Sequence, residues 1–194
     1  GGEARVSWAT MFFDYDNDGD EDLYVVSGYL KYGPDDTPRG DIPDYLKEQP
    51  NALMRNEGDG TFTDVSFLSG AGDPGVGRGG VFLDFNNDGC LDLFMVNLGQ
   101  EARLFQNACD SGNSWLVVET VGTVSNRDGI GARITVSAGG KTQIREVSSG
   151  SSQMGQNMLE AHFGLGTAEI VESITLRWPS GRVQKLTGVA INQR

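Results

Sequence analysis

Apolar and polar positions trade places every few residues along this chain. Phe12–Phe13, Leu23–Val26, "ALMRN" (52–56) and "TFTDVS" (61–66) are short runs rich in aromatic and β-branched residues. Gly, Asn and Asp break them apart, which is the pattern of strands joined by turns. The last two runs are joined by "EGDG" (57–60) and read as a hairpin. The second half carries "SWLVVETVG" (114–122), "ARITVSAGGKTQIREVSS" (132–149) and "ESITLRWPSGRVQKLTG" (172–188). In them "AGGK" (138–141) and "PSGR" (179–182) are hairpin turns. The pattern predicts an all-β chain. No apolar run approaches the roughly 20 residues that a membrane-spanning helix needs.

The first half repeats itself. "DYDNDGDEDLYVV" begins at Asp14, and "DFNNDGCLDLFMV" begins 70 residues later, at Asp84. "WATMFFD" and "GRGGVFLD" precede the two loops, while "NALMRNEG" (51–58) and "EARLFQNA" (101–108) follow them. Repeats of this size indicate propellers, solenoids or arrays. Each unit reads as a strand meander of the kind that makes one propeller blade. The second unit shows three clear strands before residue 108, and the first is lengthened by a proline-rich insert over 28–50. A short helical turn is expected there, around Tyr45–Glu48. The expected organisation is two propeller-type blades over 1–110, then a compact β-sandwich or open barrel over 111–194. Closed propellers typically have about four to eight blades. Two blades leave strand edges exposed, so either further blades belong to a longer protein or self-association completes the structure. The chain opens "GGEARVSW" without Met, which reads as a processed chain or a piece of a longer one.

Charge sharpens the picture. The net charge is −12, and residues 1–114 hold 21 Asp and Glu against 7 Lys and Arg. An acidic half of this kind argues against nucleic acid, which requires basic surface, and in favour of cations. Asp14, Asp16, Asp18 and Asp22 stand at positions 1, 3, 5 and 9 of the first loop, with Gly19 after the third Asp. Asp84, Asn86, Asp88 and Asp92 repeat this spacing, with Gly89. Alternate side chains on a tight turn converge from one side, and a hard cation taking six to eight oxygens suits them. Position 7, Asp20 or Cys90, is expected to offer its backbone carbonyl, with the Cys90 thiol pointing away. An EF-hand needs a Glu at position 12 and flanking helices. Position 12 is Val25 or Met95 here, and the flanks alternate like strands. The expectation is therefore about two calcium ions in β-hairpin loops, with the Asn-containing second loop weaker. Against this stands a plain solvated turn, since Asp, Asn and Gly favour turns anyway.

These loops resemble FG-GAP/VCBS repeats, the calcium-loop blades of integrin-α-type propellers. "NRDGIGARITVSAGGKTQIREVSSGSSQMGQN", "HFGLG" and "ITLRWPSGRVQKL" are similar to the ASPIC/UnbV domain. The pairing in this order resembles the cartilage acidic protein-like family. The resemblance implies a secreted, calcium-binding, non-enzymatic protein, and the ten loop positions named above as calcium ligands. The ASPIC/UnbV motif brings no catalytic residues with it.

Other features weigh less. Cys90 lies in the loop between the first and second strands of the second blade, and Cys109 follows the third, at the same blade end. A disulfide between them is expected in an oxidising compartment. Arg39-Gly40-Asp41 forms an integrin-type tripeptide in the insert, of a kind that chance often produces. His162 is the only histidine and reads as structural. Ser149, Ser151 and Ser152 lack a G-x-S-x-G elbow, and "GVGRGG" (75–80) precedes a strand rather than a helix. Trp115 and Trp178 sit in strand-like runs and read as core, while Tyr29 could stack on a sugar. The expected function is an extracellular, periplasmic or cell-surface calcium-binding module of adhesion type, meeting protein partners or other copies through strand edges. The alternative is a carbohydrate-binding module of a secreted protein or hydrolase.

Overall fold

A computed structural model describes residues 6–29 and 49–194. The helical turn expected at Tyr45–Glu48, the Arg39-Gly40-Asp41 tripeptide and most of the 28–50 insert lie outside the described residues. The architecture is all-β, as expected. The first sheet is a meander of β1 (Ser7–Phe13), β2 (Asp22–Ser27), β3 (Ala52–Asn56) and β4 (Phe62–Asp64), in that order. A single helical turn, α1 (Ser66–Ser69), follows; the end of the run expected as strand over 61–66 passes into it. Gly70 closes the turn in the left-handed conformation at φ 75°.

The second sheet comprises β5 (Gly77–Leu83), β6 (Asp92–Asn97) and β7 (Arg103–Phe105). Its register copies the first. Phe13 pairs with Asp22 and Leu83 with Asp92, each pair 70 residues from its counterpart. Even the bulge recurs, between Ser7 and Ala9 and between Gly77 and Gly79. Leu23 pairs with Met54 and Leu93 with Phe105, so the third strands correspond at 51 residues. The sequence-level match of 51–58 to 101–108 is therefore out by one residue; Asn56 corresponds to Asn107. The two blades pack face to face around Met11, Tyr24, Val26, Leu53, Leu93 and Met95. Phe13 stacks on Phe82 across this interface at 5.7 Å, and the Tyr24 hydroxyl donates to the Ala71 carbonyl at 2.6 Å.

The third strand of the second blade is not followed by a fourth. The chain instead crosses to β8 (Ser114–Val118), which pairs with β11 (Ala161–Gly166). This pair packs on a four-stranded sheet of β10 (Lys141–Glu146), β9 (Arg133–Ala138), β12 (Val171–Arg177) and β13 (Val183–Val189), ordered β10-β9-β12-β13. Leu116, Ile134, Val136, Phe163, Val171 and Ile174 fill the space between the two layers. Alternating inward positions from both layers make this a sandwich with its own core. No helix among the described residues is long and apolar enough to cross a membrane.

Candidate metal centre

The β1–β2 and β5–β6 connections are built from matching hydrogen bonds. Asp14 accepts from the Asp18 amide at 3.1 Å and the Gly19 amide at 2.8 Å; Asp84 accepts from Asp88 at 3.1 Å and Gly89 at 3.0 Å. Asp18 accepts from the Asp20 amide at 2.8 Å, and Asp88 from Cys90 at 2.9 Å. Such Asx turns let Asp and Asn fold a loop locally. Asn17 and Asn87 take the left-handed conformation at φ 60° and 59°, which Asn tolerates better than most residues.

The position-9 aspartates pin each blade. Asp22 accepts from the Tyr15 amide at 2.9 Å and the Asn56 amide at 2.8 Å. Asp92 does the same with Phe85 at 3.1 Å and Asn107 at 2.8 Å. The Asn56 and Asn107 side chains in turn donate to the carbonyls of Glu21 and Leu91. These two asparagines were missed as part of the site. The signal was present, an Asn after the third strand in both repeats, but only the register aligns them.

In the first loop, one carboxylate oxygen from each of Asp14, Asp16 and Asp18 falls within 4.8 Å of the others. Asp14 is 1 % exposed. Asp16 Oδ1 is buried and has no hydrogen-bond partner among the described residues. Asp22 stands outside that cluster. Burial pushes the Asp14 carboxyl up to about 8, with Asp18, Asp22 and Asp16 adding to the rise and the Gly19 amide opposing it. Burial likewise pushes Asp22 up to about 7 and raises Asp16. Clustered, desolvated carboxylates of this kind resist ionisation unless a cation joins them. The donor set is all oxygen and hard, which suits Ca²⁺ rather than zinc. The Asp20 carboxylate pairs with Lys141 at 2.8 Å, so its backbone carbonyl is the group left for a ligand role.

The second loop differs. Asp84 is half-buried, and Asn86 and Asn87 are exposed. The Asn86 amide donates to Asp88 at 2.6 Å, where the first loop has a third carboxylate. Burial raises the Asp92 carboxyl. Cys90 is bonded to Cys109. Its sulfur does not point away as expected: it lies within 4.8 Å of an Asp88 carboxylate oxygen, because the disulfide holds it against the loop.

The sandwich closes over these loops. Gly166 donates to the Asn17 carbonyl at 2.8 Å, and Asn113 to the Asp16 carbonyl at 2.9 Å. Lys141 also reaches the Asp18 carbonyl at 3.2 Å, and Arg145 lies 3.4 Å from Glu21, which is thus paired rather than free in solvent. A Cβ on Gly164 would fall 2.0 Å from Asp14 Oδ2. One on Gly89 would fall 1.9 Å from the Trp115 ring. The strand run "AHFGLG" thus carries a glycine where the first loop needs backbone contact. Trp115 packs on the second loop, and Trp178 on the sandwich core. His162 is buried, as its structural reading implies, with Nε2 2.9 Å from the Gly89 carbonyl.

Acidic hairpin blades docked loop-first onto a β-sandwich define a two-part, all-β repeat protein. Family models identify both parts: residues 14–95 match the FG-GAP-like repeat and residues 122–194 match ASPIC and UnbV. The chain thus carries FG-GAP-like repeats followed by an ASPIC/UnbV domain, as the motifs implied. Among curated proteins it is similar to cartilage acidic protein 1 of Mus musculus, at 28% identity over 68% of this chain and 21% of the relative. The Homo sapiens protein matches at 28% identity over 68% of this chain and 20% of its own length. The Xenopus tropicalis protein is 44% identical over 29% of this chain and 9% of its own. The chain spans about a fifth of the length of the mouse and human relatives.

Proposed function

We propose that this chain is a calcium-binding structural and interaction module of an extracellular protein, without catalytic activity. The observation that carries the reading is the convergence of Asp14, Asp16 and Asp18, with Asp16 Oδ1 left unpartnered. Calcium in the first loop would be held by these three, the Asp20 carbonyl and Asp22. The second site would use Asp84, Asn86, Asp88, the Cys90 carbonyl and Asp92. The ion would neutralise the crowded carboxylates and stiffen the hairpins, and through the first loop it would fix the blades against the sandwich. Affinities of roughly 10⁻⁴–10⁻³ M are typical of extracellular modules, and match a setting where calcium is plentiful. The name cartilage acidic protein borne by the relatives supports that setting, as does the Cys90–Cys109 disulfide.

A carbohydrate-binding role for 111–194 calls for solvent-facing aromatic platforms. The packing of Trp115 on the second loop and Trp178 on the core favours the structural role instead.

Thermal melting with calcium, with magnesium and with chelator tests the proposal. A ligand that binds only the folded state raises stability by mass action, about 2.7 kcal/mol at a hundredfold excess over Kd. Calcium should raise the melting temperature and chelator reverse it. An unchanged melting curve would overturn the proposal.

A further inference from the structure

The cations of the sandwich fall into two groups. Lys141, Arg145 and Arg194 are taken up by ion pairs with Asp20, Glu21 and Glu160. Arg133, Arg177, Arg182 and Lys185 are exposed and make no ion pair among the described residues. The sheet register places these four together. Ile134 and Ile174 point into the core, so Arg133, Thr175 and Arg177 lie on the outer face. Arg177 pairs with Arg133 on one side and Val183 on the other, and Lys185 pairs with Thr175 on the same face. Arg182 immediately precedes β13. Like charges directly opposite one another cost stability. Glu146 pairs with Arg133 from the far side, whereas Arg177 has no acidic cross-strand neighbour. A positive strip thus stands on a chain whose net charge is −12.

The strip borders an open sheet edge. β13 comes last in the order β10-β9-β12-β13, and no strand among the described residues pairs with its other side. Its core-facing positions are uncovered as well. Leu186 pairs with the buried Ile174 yet is 58% exposed, since the β8–β11 layer stops short of it. Gln184, the preceding position on that face, lines a cleft of about 260 Å³ with Val121, Val124, Trp178 and Arg182. Val121 and Val124 are exposed by 61% and 76%. Edge strands commonly carry Lys against unwanted pairing. Lys185 does so here, and it admits a strand that brings an acid opposite it. We infer that β13 receives an extended acidic segment of another protein as a fifth strand, its alternate side chains acidic on the face of Lys185 and Arg177 and apolar on the face of Leu186 and the cleft. Backbone hydrogen bonds along the edge supply affinity, and the alternating side chains supply specificity. Charge complementarity selects an acidic occupant, and the apolar cleft selects the alternation. The inference rests on the reading of the chain as an interaction module and is independent of calcium in either loop.

Fluorescence anisotropy tests this with a labelled peptide that alternates glutamate and valine. It is read in calcium buffer, at a temperature where circular dichroism shows the chain folded. The calcium reading is tested by melting curves alone, so the two can fail separately. The alternating peptide should bind saturably, against the repulsion of the chain as a whole. A peptide of the same composition with its glutamates in one block should not, and neither should a fully N-methylated version, which cannot add a strand. Lys185→Glu combined with Arg182→Glu turns two exposed attractions into repulsions and should weaken binding by about tenfold. Arg177→Glu replaces either substitution if the double variant does not fold. An alternating peptide that fails to bind overturns the inference, as does a blocked or N-methylated peptide that binds equally well. So does a folded charge-reversed variant of unchanged affinity, or a sulfated polysaccharide that binds where the peptide does not.

Discussion

The Asn17 side chain donates to the Gly89 carbonyl at 3.2 Å, tying the first acidic loop to the second. His162 Nε2 lies 2.9 Å from the same oxygen. One backbone carbonyl is thus the meeting point of both blades and the sandwich. Calcium in the loops would act on that junction as well as on its own hairpin.

The two loops should therefore titrate differently. The first offers the carboxylates of Asp14, Asp16 and Asp18 in one cluster, whereas the second places Asn86 at position 3. Calorimetry should resolve a tighter and a weaker step. Asp16→Asn should abolish the tighter one and most of the calcium-induced rise in melting temperature, while Asp88→Asn should leave the tighter step in place.

Gly164→Ala should destabilise the chain by about 1–3 kcal/mol, the usual cost of overpacking. The new Cβ would fall 2.0 Å from Asp14 Oδ2 and 2.5 Å from the Asn17 Cα, so the loop or β11 must move. Because the displaced group is a proposed ligand, calcium affinity should fall along with stability in denaturant. Gly129→Ala, which meets Thr120 Oγ1 at 2.3 Å and adds left-handed strain at φ 69°, provides a destabilised control outside either acidic loop, whose calcium affinity should not change.

The disulfide closes a loop of 19 residues, worth about 3 kcal/mol in the chain-entropy view. Intact mass under non-reducing conditions should show the loss of two hydrogens. Cys109→Ser, paired with Cys90→Ser, should lower the unfolding midpoint. It should also weaken the second calcium step more than the first, since Cys90 belongs to the second loop.

Burial lowers the His162 pKa from 6.5 to about 4, with Arg145 adding to the shift and the Gly89 carbonyl opposing it. The group is therefore neutral in the folded state while the unfolded state protonates near 6.5. Its contribution is fully present above that value, is lost as pH falls toward about 4, and is then constant. The loss amounts to roughly 3 kcal/mol. Loop carboxylates titrate over part of the same range, so the readout is the difference between wild type and His162→Gln. The variant should lose less stability between pH 7 and pH 4 than wild type; parallel curves would contradict the assignment.

Much of the fold was legible beforehand because strand patterning and Asp-Asn-Gly turns are local. The acidic loops repeat at a fixed spacing, and the "AGGK" and "PSGR" turns join the strands they were expected to join. "HFGLG" was not read as a strand, since its glycines carry no strand preference. Gly164 is explained by Asp14 and Asn17 lying against it, and Gly166 by its left-handed conformation at φ 55°. Asn56 and Asn107 were likewise invisible as partners of Asp22 and Asp92 until the true register aligned them.

The repeat, the 1-3-5-9 acidic spacing, the all-β class and the proximity of Cys90 to Cys109 could all be read before any coordinates. Each follows from residue identity and short-range geometry. Tertiary structure alone decided that Asp14 and Asn17 of the first loop are buried under the sandwich, whereas in the second loop Phe85, Asn86 and Asn87 are exposed and the cover falls on residues 89–92, although the two sequences differ little. It also decided that Tyr24 is core and its counterpart Phe94 surface. Burial depends on what a face meets, and identical patterning gives a blade two matching faces without saying which of them is covered.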